Sequence, residues 1–107
     1  MNDASEKDPA LIRQKLNHDT AKINWGVLHE HQQQESVIAV STDLDLIDVA
    51  CDFTLDNRTQ VKTWLEQAQI VKVSDEQAQQ WKTEDRELWA VVVAPWVLVQ
   101  EPKPGTN

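Results

Sequence analysis

Residues 88–100 read Leu-Trp-Ala-Val-Val-Val-Ala-Pro-Trp-Val-Leu-Val-Gln, thirteen positions with no charge and Gln100 as the one polar side chain. A membrane helix needs ~20 such residues, and Pro95 interrupts this run. Valine, tryptophan and leucine crowd it, so it predicts two strand segments buried on both faces and divided by a proline-marked bend. These strands should form the middle of the core.

Upstream the apolar spacing changes from runs to helical periods. Asp8-Pro9 opens a short helix near residues 9–17, with an acidic N-cap, proline at the first helical position and Ile12 and Leu16 at i, i+4. A second helix is expected from Asn24, with Trp25 and Leu28 on one side, fading into Gln32, Gln33 and Gln34; Gly26 weakens it. Residues 37–40 read as a short strand. Within residues 44–53, Leu46, Ile47, Ala50 and Phe53 recur at helical spacing, and Asp45, Asp48 and Asp52 fall within about 60° of arc on the other side. Asp56 is expected to cap the next helix, residues 57–68, whose Val61, Trp64, Leu65 and Ala68 fit i, i+3, i+4, i+7. Residues 70–73 read as a strand. Ser74-Asp75-Glu76-Gln77 is a capping box opening a helix with Ala78 and Trp81, and a charged turn over residues 84–87 precedes the apolar run.

The pattern predicts one α+β domain over residues 10–100, with helices packed on a three- to four-stranded sheet and flexible tails at residues 1–9 and 101–107. The same element order occurs in winged helices, and Leu46, Val49, Ala50, Val61 and Leu65 are spaced roughly like a helix-turn-helix core. The connection between those two helices, however, lacks glycine and is long for that motif.

Charge adds a candidate surface. The chain of 107 residues carries a net charge of −8, and Asp43, Asp45, Asp48, Asp52 and Asp56 fall in a stretch without Lys or Arg. This balance repels phosphate backbones and disfavours nucleic-acid binding. A solvated face accounts for much of the stripe: Asp43 and Asp45 suit a helix N-terminus and Asp56 a cap. Asp48 and Asp52 lie too late for the helix dipole, and a basic patch on a partner protein would explain them best. A divalent cation would lack the glycine turn and terminal glutamate of a calcium loop.

Five tryptophans stand against one phenylalanine and no tyrosine. Trp64 and Trp89 sit in core patterns. Trp25, Trp81 and Trp96 are candidates for exposure, and Trp96, after the bend, for a partner anchor. His29 and His31 lie about 200° apart on a helix and cannot share a zinc ion with His18. Cys51 is expected to pack, and neither it nor Ser41 has the surroundings of a nucleophile. Two distant glycines, Gly26 and Gly105, cannot make a phosphate loop. No catalytic, metal or cofactor site is therefore expected. A lone cysteine and a polar N-terminus suggest a reducing cytoplasm and no membrane anchor.

Ile23, Trp25, Leu44-Asp45-Leu46, Val49-Ala50, Phe53, Asp56, Val61, Trp64-Leu65, Trp81, Leu88-Trp89, Val91-Val92-Val93 and Pro95-Trp96-Val97-Leu98-Val99-Gln100 together resemble the small bacterial proteins grouped as domain of unknown function 2288, over roughly residues 11–101. The resemblance implies a bacterial, stand-alone domain and carries no activity or site residue with it.

The sequence thus points to a non-enzymatic cytosolic module that binds another protein through Asp45, Asp48 and Asp52 with Trp96. Self-association through a sheet edge beside Val97 and Val99 is a variant. The alternative is a winged-helix DNA-binding regulator that uses Arg58, Gln60 and Lys62.

Overall fold

A computed structural model describes residues 8–31 and 36–102. The expected tails fall almost wholly outside them, as do the glutamine run and the side chains of His29 and His31. The elements run α1 (Pro9–Asp19), β1 (Ala21–Asn24), α2 (Trp25–His31), β2 (Val37–Val40), α3 (Leu46–Thr54), α4 (Arg58–Glu66), β3 (Ile70–Lys72), α5 (Asp75–Glu84), β4 (Glu87–Val93) and β5 (Trp96–Gln100). The fold is α+β.

Five strands form one mixed sheet in the order β1-β4-β5-β2-β3, against the three or four that the pattern predicts. All neighbours are antiparallel except β2 and β5, whose Ile38 and Leu98 stand opposite each other in a parallel pair. That parallel centre, with helices on both faces, replaces the small antiparallel wing of a winged helix. It also places β5 inside the sheet, so Val97 and Val99 are fully buried and offer no edge for self-association. The additional strand is β1. It is four residues long with two of them exposed, too short and polar for its alternation to stand out.

Alternate strand residues serve two cores. On one face Ile38, Val40, Ile70, Val91, Val93 and Leu98 meet Leu16 of α1, Leu46, Val49, Ala50 and Cys51 of α3, and Trp64 of α4. On the other, Val37, Leu88, Ala90, Val97 and Val99 meet Trp25 and Leu28 of α2 and Ala78 and Trp81 of α5. The ring centroids of Trp25 and Trp81 lie 5.1 Å apart in an edge-on contact, so the two indoles with few apolar neighbours in the chain are both buried. Trp89 shows the reverse: it is 38% exposed, and Val92 is 58% exposed. β4 is buried on both faces only in part, because its outer neighbour is the short β1.

Helix ends follow local chemistry. Asp8, Asp45, Asn57 and Ser74 cap α1, α3, α4 and α5, each accepting from backbone N–H groups in the first turn. Asp56 does not cap α4. It is the left-handed residue that ends α3, as Ala68 and Asp85 are for α4 and α5. At each end the following residue donates back to the helix: Asn57 to Asp52, Gln69 to Trp64 and Arg86 to Trp81.

Candidate functional site

The acidic stripe of α3 is divided by its neighbours. Asp45 is the N-cap, and its Oδ1 accepts from the amides of Ile47 (2.8 Å) and Asp48 (3.4 Å). Arg13 on α1 reaches across the helix seam, donating to Asp48 and placing Nη2 3.5 Å from Asp45 Oδ2. The hydrogen bond to Asp48, reinforced by the charge of that carboxylate, holds the Arg13 proton more firmly than usual. Two of the three ridge carboxylates therefore already face a cation of the same chain. No local pattern signals this contact, since Arg13 and Asp48 are thirty-five residues apart.

Asp52 lies elsewhere. It is half-buried, accepts from Asn57 Nδ2 at 3.3 Å and stands at the rim of a groove of about 500 Å³. The end of α3, the 55–57 turn, α4 and the β4–β5 turn enclose this groove. Phe53, Val61, Leu65, Pro95 and Trp96 make its apolar lining, with Asp52, Asp56, Arg58 and Lys62 as its charged groups. The helical period places Leu65 in the core, yet it is 51% exposed, because Trp64 takes the sheet-facing direction and Leu65 turns into the groove. Trp96 is half-buried, and Lys72 Nζ lies 5.8 Å from its ring centroid. Ala94–Pro95, a cis peptide, forms the turn beside it.

The structure thus joins Asp52 and Trp96 with Arg58 and Lys62, residues that the sequence assigned to different functions. It leaves Asp45 and Asp48 on the α1 seam and Gln60 outside the groove lining. Arg58 Nε donates to both oxygens of Asp56, at 3.2 and 3.3 Å, in a pair that is largely exposed. As a recognition helix, α4 would carry two cations, Arg58 engaged by Asp56 and Lys62 in a groove lined also by Asp52 and Asp56.

Cys51 is buried, and burial pushes its thiol pKa up, with Arg13 pulling the other way. His18 is exposed. Among the described residues no three His, Cys, Asp or Glu side chains are grouped to hold a metal ion, and no helix is long and apolar enough to cross a membrane. Gln100, the polar end of the long apolar run, is structural. Its Nε2 donates to the carbonyls of Ser41 and Leu44, both at 2.8 Å, and so fixes the loop that leads into α3.

No curated protein matches the chain. The NMR solution structure of PA1075 from Pseudomonas aeruginosa is similar to it, at 35% identity and a TM-score of 0.76, over 91% of this chain and 90% of that one. A family described as "Protein of unknown function (DUF2288)" matches residues 11–101. With a match over most of its length, on the strands and helices that build both cores and the groove, the chain belongs to the DUF2288 family.

Proposed function

We propose that the protein is a non-enzymatic binding module of the bacterial cytoplasm, and that its groove between α3, α4 and the β4–β5 turn takes a short segment of another protein. The observation that carries this reading is the apolar lining left open to solvent, with Leu65 half-exposed beside Trp96. Exposed apolar surface around an indole, rimmed by polar groups, is the usual anatomy of a peptide anchor site. The partner's chemistry follows from charge. The rim itself is balanced, Asp52 and Asp56 against Arg58 and Lys62, with Asp56 already paired to Arg58, so it is the net −8 of the whole chain that favours an apolar anchor flanked by Lys or Arg. Asp45 and Asp48, already facing Arg13, are secondary to Asp52 and Trp96 in this scheme.

The test is affinity capture from a bacterial lysate at low salt, with and without nuclease, using four baits: the wild type, Leu65→Glu, Asp45→Asn with Asp48→Asn, and Arg58→Ala with Lys62→Ala. A protein retained by the wild type and the aspartate double variant but lost from Leu65→Glu supports the groove. Loss from the aspartate double variant alone would return the binding surface to the acidic ridge. Capture that vanishes with nuclease and depends on Arg58 and Lys62 would overturn both in favour of DNA binding.

A further inference from the structure

The groove does not end at Phe53. A second hollow, of about 410 Å³, lies on the α1 side, lined by Ile12, Lys15 and Leu16 of α1, Phe53 and Thr54 of α3, and Val92 of β4. Phe53, Val93 and Ala94 line both, so the two hollows meet where the end of α3 faces the β4–β5 turn. Each holds a half-exposed apolar side chain, Leu65 in one and Val92 in the other. α3 packs against both α1 and α4 and so lies between them. At roughly 8–10 Å per helix–helix step, the joined seat is on the order of 20 Å long.

Given the α3–α4 groove as a binding site, on which the inference rests, we propose that the joined seat takes one amphipathic helix of a partner, with its apolar face across Phe53 and its outer face basic. Length and backbone chemistry select a helix. One of about 14 residues spans ~21 Å and satisfies its own backbone hydrogen bonds. The seat offers it side chains and a turn at Pro95, which has no N–H. Pairing of β4 with β1 stops at Ala90, and the outer edge left to β4 is Val91–Val93, too short to seat an added strand. Charge selects the partner. Asp56 pairs with Arg58, Lys15 with Asp19, and Asp52 offsets Lys62, so the lining is neutral and suits an apolar face. The chain as a whole stands at −8, which attracts a basic outer face and repels a second copy of itself.

The probe is a fluorescent synthetic peptide of that length made of leucine and lysine, with leucine at i, i+3, i+4 and i+7. Its isomer of equal composition alternates the two residues at strand period. In anisotropy titrations the wild type should bind the helical peptide saturably, and more tightly than the isomer. Leu65→Glu and Val92→Glu should each weaken binding about ten-fold or more, as follows from losing one seated apolar side chain. Both replacements add a negative charge, which by itself would strengthen binding of a lysine-rich peptide, so weakening reports the seat. Val27→Glu, on α2 across the sheet, adds the same charge and should bind no more weakly than the wild type. All three positions are half-exposed, so each variant should keep a urea midpoint close to that of the wild type. Weakening in Leu65→Glu but not in Val92→Glu would overturn the joined seat and leave the α3–α4 groove standing alone. Weakening in Val92→Glu alone would overturn the joined seat and count against that groove as well. No saturable binding by the wild type, equal or tighter binding of the alternating isomer, or unchanged binding by both variants would overturn the helix. A wild type that sediments as a dimer, which either variant dissociates, would assign the seat to a second copy and overturn the basic partner.

Discussion

At the scale of single residues, backbone conformation explains what side-chain patterns miss. Three helices end on a left-handed residue, yet the chain has glycine only at positions 26 and 105, so Asp56, Ala68 and Asp85 take that conformation instead. Aspartate tolerates it through local hydrogen bonding, whereas alanine only bears the steric cost. Ala68→Gly is therefore expected to stabilise the protein by about 1 kcal/mol, read as a rise in the urea midpoint at unchanged slope. Periodicity alone assigns Ala68 to the buried stripe of α4. The i+7 position satisfies the period, but the helix ends at Glu66, and no side-chain pattern announces a left-handed alanine. Asp56 misleads for a related reason: aspartate suits both a helix start and a left-handed stop, and the two positions are one residue apart here.

At the scale of elements, α2 and α5 show how weak helices survive by packing. α5 is mostly polar, with Ala78 and Trp81 as its buried residues, and α2 has seven residues. Each is held through one indole on the far face of the sheet, and the two indoles hold each other. Trp81→Ala should cost about 3–5 kcal/mol in urea denaturation, because it empties the joint between both helices and the sheet. Trp89→Ala should cost much less, since its ring is already partly in water and stacks under Lys22, whose Nζ is 5.3 Å from the ring centroid. Counting apolar neighbours along the chain ranks these tryptophans the other way. Burial depends on what stands opposite, and β1 is too small to cover Trp89 while α2 is well placed to cover Trp81.

At the scale of the whole molecule, charge and a buried thiol act on stability in the same direction. The Cys51 pKa is raised in the folded state, so the unfolded chain ionises first as pH rises. The thiol's contribution is complete below the ordinary thiol pKa and declines as pH climbs from there through the folded value. The growing negative charge of a chain already at −8 adds self-repulsion over the same range. Urea midpoints should fall between about pH 8 and about pH 10 in the wild type, and fall less in Cys51→Ala, with the remainder assignable to net charge.

The order of elements apart from β1, the capping residues Asp8 and Ser74, the central hairpin with its proline turn and the α+β class could all be read from the chain. These are local properties, set by side-chain period and by hydrogen bonds two or three residues apart. What only tertiary structure decided is the pairing across distance. β2 and β5 lie side by side in parallel, Arg13 meets Asp45 and Asp48 across the helix seam, and Leu65 joins Trp96 at the groove. Such contacts join residues tens of positions apart, and a periodicity records which face of an element is apolar but not what that face will meet.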